Sequence, residues 1–235
     1  MVIAFKCNVI NNMIYKALSS IYIYFTHFIS PPSCLYCHKS LSVRTAFCSS
    51  CSALIMPIVP FDFYLGKNKI VKVYAASAYK DPLRSLILAK HRGNETYIRF
   101  LADIMADNII LEHIDFDMIV FIPLHWTRYA ARGFNQAEII AQVIAKKTGK
   151  PVVPLIIRSK KTEYQARLSL QQRENNVRNA FQINEQYHRQ ITGKKILVVD
   201  DLFTTGSTIK AASQLLWPYN PEQINLFVAC RVVKT

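Results

Sequence analysis

The sequence predicts an α/β fold, a mainly parallel sheet flanked by helices, with a small cysteine-bearing module ahead of it. Three observations carry this expectation. From Ile70 onward, short apolar runs alternate with helical patterns, the arrangement that parallel sheets with helical crossovers require. Ile196 to Val199 is a β-branched run, apolar on both faces, that ends in Asp200 and Asp201 before a small-residue loop opens a helix. Near the other end, Cys34-Leu35-Tyr36-Cys37 and Cys48-Ser49-Ser50-Cys51 form two C-x-x-C pairs. The chain divides accordingly into an apolar segment over 1–30, a cysteine module over 31–60 and a main domain over 70–235.

The elements follow in order. The first thirty residues are apolar and aromatic, and no acid precedes Asp62. Ile21 to Ile29 is too short to span a bilayer, and Asn8, Asn11 and Asn12 interrupt the stretch before it, so a packing helix is expected and no membrane span. Met1 and Met13 both offer a start. Val71 to Ala78 is a strand; Asp81 caps and Pro82 starts a helix with Leu83, Leu86 and Ile87 on one face, closed by Gly93. Ile98, Leu101, Ala102, Met105 and Ile109 mark a second helix, and Met118 to Ile122 a strand ending at Pro123. Asn135, with Glu138 three residues on, caps a helix whose apolar face is Ala137, Ile140, Ala141 and Ile144, with Gly149 at its end. Pro151 leads to another strand running through Ile157. After the Asp-Asp pair, Ile209, Ala212 and Leu216 recur at helical spacing until Pro218.

The cysteine spacing suits one tetrahedral zinc held by Cys34, Cys37, Cys48 and Cys51, because two knuckles ten residues apart can bring four thiolates together. His38 to Phe47 is too short to form a core of its own, so the metal would order it. Disulfides are the alternative and need an oxidising compartment; the zinc reading implies reduced thiols and a cytoplasmic setting. Cys7 and Cys230 have no partner spacing and read as free thiols, Cys230 buried in its strand.

At the carboxyl end of a buried parallel strand, Asp200 and Asp201 stand where open α/β sheets bind ligands. Thr204, Thr205, Gly206, Ser207 and Thr208 supply hydroxyls and a pliant backbone at a helix start, where amide groups and the helix dipole favour a phosphate. Paired carboxylates suit ribose hydroxyls or a magnesium ion shared with the substrate. Two further segments are rich in arginine. The loop from Pro123 to Gln136 carries Arg128 and Arg132 beside His125, which reads equally as a hydrogen-bonded packing residue, and the segment from Arg158 to Phe181 carries Arg158, Arg167, Arg173 and Arg178. Arginines there would fork onto phosphate oxygens, the second segment acting as a lid; solvated surface charge, or a basic surface helix, is the alternative.

The string Val-Val-Asp-Asp-x-x-Thr-Thr-Gly-Ser-Thr resembles the phosphoribosyl pyrophosphate (PRPP) motif of type I phosphoribosyltransferases. The resemblance implies that Asp200 and Asp201 hold the ribose hydroxyls and that Thr204 to Thr208 cradle the 5′-phosphate. Together with the four cysteines, Pro-Leu-His, Arg-Gly-Phe-Asn-Gln and the Arg158-to-Phe181 pattern, the chain is similar to the ComF family, which is associated with competence for DNA uptake. That likeness implies a type I phosphoribosyltransferase-like sheet with an N-terminal zinc ribbon, and a ligand that is PRPP, or a related ribose phosphate, with magnesium. It implies pyrophosphate contacts from Arg128, Arg132, Arg158 and Arg173, and a link to the DNA-uptake machinery; separately, a zinc ribbon with a basic lid could hold single-stranded DNA. A formal charge of +14 adds sequence-independent attraction for nucleic acid. Tyr36 and Phe47 would either stack on bases or pack within the module. No general base and no nucleobase-reading segment stands out. Transferase, non-catalytic PRPP- or nucleotide-binding module and zinc-ribbon DNA-binding protein therefore all stay open.

Overall fold

A computed structural model describes residues 31–66, 69–89, 95–124, 126–158 and 180–233. The readings made for 1–30, Cys7, Gly93, His125, the side chain of Arg128, Arg173 and the rest of 159–179 lie outside the described residues. The chain forms two compact units, Met1–Ser52 and Ala53–Thr235.

In the first unit, Cys34 N–H donates to Lys39 O and His38 N–H to Cys34 O, closing a tight knuckle in which His38 takes a positive φ of 61°. Ser33 and Ser40 bridge its two arms. The second knuckle opens the short helix α1 (Ser49–Ser52). Ala46 and Phe47 are buried between them, whereas Tyr36 is exposed.

The second unit is built on a five-stranded sheet of order β1-β2-β7-β6-β3, with β1 (Ile58–Gly66), β2 (Lys69–Ala78), β3 (Met118–Phe121), β6 (Lys195–Phe203) and β7 (Gln223–Arg231). Within this sheet only the β1–β2 pair is antiparallel. β2, β7, β6 and β3 therefore all present their carboxyl ends at one edge. Ile196, Leu197, Val198 and Val199 have no exposed surface, as a strand covered on both faces requires. Ile196 and Val198 join the core that receives Ile209, Ala212 and Leu216 of the helix α6 (Ser207–Leu216), while alternation turns Leu197 and Val199 to the other face.

The expected helices form. α2 (Leu83–Ala89) buries Leu83, Leu86 and Ile87, and Asp81 Oδ1 accepts from Ser85 N–H at 3.1 Å in the turn that opens it. α3 (Glu95–Ala106) buries Ile98, Leu101, Ala102 and Met105 and packs on the helix α5 (Gln136–Thr148). Ile109 departs from its expected place: it lies in a separate 3₁₀ turn, capped by Asn108, and is exposed. α5 carries the anticipated caps, Asn135 Oδ1 accepting from Ala137 N–H and Gly149 in the left-handed conformation.

Three elements differ from the sequence reading. The strand β1 was not foreseen; it forms the sheet edge, where Pro60 costs no ladder bond. The Pro123–Gln136 stretch is not all loop, for Trp126–Arg132 forms a short helix, α4. The run from Pro151 through Ile157 is not a strand of the parallel sheet. Val152 makes one bridge to Ile119, and the chain then leaves to form β4 (Ile156–Arg158), antiparallel to β5 (Phe181–Ile183). Pro151 and Pro154 explain the break, since neither has an N–H to give a ladder and the pairing is limited to Ile119 with Pro151 O and Val153 N–H.

One clamp sets the register of the functional strand. Asp117 N–H donates to Lys195 O at 2.8 Å, and Asp117 Oδ2 accepts from Lys195 N–H at 2.9 Å. That backbone donor is the main reason the Asp117 carboxyl sits below the usual carboxylate range. Its contribution is present above the ordinary Asp value and is lost as pH falls through the lowered one.

Candidate functional site

β3 pairs with β6 only as far as Phe121 opposite Val199. β6 continues alone on that side, still paired with β7, and delivers Asp200, Asp201, Leu202 and Phe203 beyond the end of β3. The ladder closes with Ile122 N–H donating to Val199 O and Val232 N–H to Phe203 O. Asp200 and Asp201 are half-buried, and the Asp201 N–H donates to Asp200 Oδ1 at 2.9 Å, fixing the first carboxylate at the strand end.

The loop then turns on Gly206, whose φ of +79° is left-handed and which opens α6 without a side-chain cap. Thr205 Oγ1 and Ser207 Oγ lie 2.7 Å apart. A Cβ at Gly206 would meet Phe63 Cζ at 2.5 Å and Phe203 Cζ at 3.1 Å, so glycine is required there by space as well as by φ. Phe203 stacks edge-on against Phe61 and Phe63 at 5.4 and 5.6 Å. The unforeseen strand β1 thus supplies the floor on which the loop rests.

A cleft of about 560 Å³ runs along this carboxyl edge. Asp200, Asp201 and all of Thr204 to Thr208 line it, as do Arg132 and Arg158. Of the expected arginines these two are therefore brought to the acids; Arg158 also lies 5.1 Å over the Phe181 ring. Sequence reasoning gave no role to Gln136, which is among the lining residues, nor to Tyr79, Leu88 and Val232, which also line the cleft. Gln136 stood in plain sight at the end of Arg-Gly-Phe-Asn-Gln; the other three had no signal, because they come together only in the fold.

In the first unit the sulfurs of Cys34, Cys37, Cys48 and Cys51 all lie within 4.8 Å of one another, with Cys37 and Cys48 at 3.7 Å. A tetrahedral zinc with Zn–S of about 2.3 Å sets sulfurs about 3.8 Å apart, so the cluster fits that ion. No disulfide joins them. Burial pushes the Cys34 thiol up, but backbone N–H groups of Cys37, Cys48 and Tyr36 outweigh it and bring it down to about 6. Cys51 is pushed up to about 12, by burial first and then by the neighbouring sulfurs.

Among the described residues, no helix is long and apolar enough to cross a membrane.

Residues 129–234 match the family described as Phosphoribosyl transferase domain. With a parallel sheet whose acid-bearing strand runs into a phosphate-type loop, this defines a type I phosphoribosyltransferase fold. The DNA utilization protein YhgH of Salmonella typhimurium is 27% identical over 212 residues, which cover 85% of this chain and 90% of that one. Competence protein F of Haemophilus influenzae is 31% identical over 116 residues, 49% of this chain and 50% of the relative. Competence protein ComFC of Bacillus subtilis is 30% identical over 103 residues, 42% and 38% of the two chains. The chain is similar to these competence and DNA utilization proteins, and the likeness supports the ComF family.

Gly206→Ala is expected to lower unfolding free energy by about 1–3 kcal/mol, from left-handed strain and the clash with Phe63. Chemical denaturation measures it. Adding Phe63→Leu should relieve the clash and leave the strain; a Gly206→Ala protein as stable as wild type would contradict the packing described.

Proposed function

We propose that this chain binds PRPP, or a closely related ribose phosphate, together with magnesium, as a phosphoribosyltransferase-like protein serving DNA uptake or utilization. The observation that carries the reading is the convergence of Asp200, Asp201 and the Thr204–Thr208 loop in one cleft with Arg132 and Arg158. The loop and the start of α6 would take the 5′-phosphate through amide and hydroxyl donors. Asp200 and Asp201 would accept from the ribose hydroxyls. Arg132 and Arg158, with Arg128 and Arg173, would hold the pyrophosphate. Magnesium, shared between these carboxylates and the ligand's oxygens, would neutralise charge on the departing group. In pentosyl transfer a nucleophile attacks C1 of the ribose, the bond from C1 to the pyrophosphate oxygen breaks, and pyrophosphate leaves with that electron pair. The protein's share is positioning and electrostatic stabilisation.

The names of the relatives support a role in handling DNA, and the formal charge of +14 is consistent with a nucleic acid nearby. Reduced, clustered thiols support a structural zinc and a cytoplasmic setting.

Calorimetry with magnesium and PRPP tests the ligand. Wild type should bind, and Asp200→Asn with Asp201→Asn should weaken binding about 100-fold, the loss of two charge-assisted contacts of about 1.5 kcal/mol each. Pyrophosphate release with an acceptor would make it a transferase; binding without turnover would make it a sensor. Absence of binding at millimolar PRPP would sink both. Salt-sensitive binding to single-stranded DNA that survives the double substitution would instead favour a separate DNA site.

Metal analysis of reduced, purified protein should find about one zinc per chain, lost in Cys34→Ser and released as pH falls, because protonation removes the thiolate ligands. A metal-free protein with all four thiols intact would contradict the zinc assignment.

A further inference from the structure

β4 and β5 pair Ile156 with Ile183, Ile157 with Gln182 and Arg158 with Phe181. Residues directly opposite one another share a face, and alternate residues along a strand return to it. Ile156, Arg158, Phe181 and Ile183 therefore form one row of this ribbon, and Ile157 and Gln182 the other. The second row is exposed. The first lies inward: Ile156 and Phe181 are buried in the core that also receives Ile209 and Ala212 of α6, and Ile183 packs against it. Arg158 thus ends an apolar, core-facing row, half-buried and with its Nε enclosed. An apolar side chain would fill that place without the cost of desolvating a charge.

The Phe181 ring offsets part of that cost. The Arg158 guanidinium lies over its face, with Cζ 5.1 Å from the ring centroid, close enough for the aromatic quadrupole to attract the cation. Arg158 lines the cleft with Asp200, Asp201 and Thr204 to Thr208, whereas Phe181 is not among the lining residues. The ring is itself fixed, being 3% exposed within the core shared with the helix that the loop opens. An arginine loses rotamer freedom when a ligand pins it, and one already held in place loses less. We propose that Phe181 is a positioning residue for the cleft: its ring face holds the Arg158 guanidinium ready for the anionic oxygens of a ribose phosphate that the ring itself does not touch. The inference rests on the ribose-phosphate reading above and adds to it a residue that acts on the ligand only through another.

The test is a double-substitution cycle read by calorimetry with magnesium PRPP. It uses wild type, Phe181→Leu, Arg158→Ala and the protein carrying both, with thermal melts as a check on folding. Phe181→Leu keeps an apolar side chain in the core and removes the ring face. It should weaken PRPP binding about fivefold in the wild-type background and change nothing in the Arg158→Ala background. Should Phe181→Leu fail to fold, Phe181→Met takes its place in the cycle. Phe181→Tyr keeps the face and should bind within about twofold of wild type. Equal losses from Phe181→Leu in both backgrounds would mean that the residue only packs, and would overturn the proposal. So would unchanged affinity in Phe181→Leu, a folded Phe181→Tyr protein as weak as Phe181→Leu, or an Arg158→Ala protein that binds PRPP as tightly as wild type. In each of those cases wild type still binds and the ribose-phosphate reading stands; if wild type does not bind magnesium PRPP, both fall.

Discussion

The whole site depends on a mismatch in strand length. β3 stops at Phe121 and β6 runs on to Phe203, so four residues extend past one neighbour while hydrogen bonds to β7 hold them on the other side. A freely hanging strand end would not keep two carboxylates together against their mutual repulsion. Here one-sided pairing fixes the backbone, and the Asp201 amide fixes the Asp200 carboxylate. The Asp117–Lys195 clamp at the far end of the same pair matters for the same reason, since a slip of one residue would turn the strand's side chains to the opposite face.

The Thr204–Ser207 loop draws its order from the aromatic group beneath it. Phe203 is both the last residue of β6 and the centre of the contacts with Phe61 and Phe63, and edge-on pairs of this kind contribute about 0.5–1.5 kcal/mol each. Arg231, at the end of β7, lies 4.5 Å over the Phe61 ring and covers it. Gly206 closes on the same rings, so sheet edge, loop and helix start form one packed block. The loop is then shaped before a ligand arrives, which lowers the entropy that binding must overcome.

The parallel sheet, its helices and the acid-to-loop string were legible because each has a local signal: periodicity, a cap or a glycine at a required φ. Asn135 and Gly149 were readable for that reason. The strand β1 was not, because Pro60 and a bulge between Ile58 and Phe61 break its alternation and its partner lies in the hairpin that follows. The Pro151–Ile157 run misled for the opposite reason: its apolar pattern promised a sheet strand, and two prolines withheld the donors. Within the cleft, charge and motif pointed to Asp200, Asp201, Arg132 and Arg158, whereas Gln136, Tyr79, Leu88 and Val232 follow only from tertiary placement. The cysteine spacing foretold a cluster because a short loop between two knuckles leaves the sulfurs few places to go.

The most direct test is a crystal structure of the full chain with magnesium PRPP. It should show the 5′-phosphate within hydrogen-bond distance of the Thr204–Thr208 loop and the ribose hydroxyls on Asp200 and Asp201. Density for the ligand elsewhere, or a ribose that leaves both aspartates uncontacted, would contradict the account.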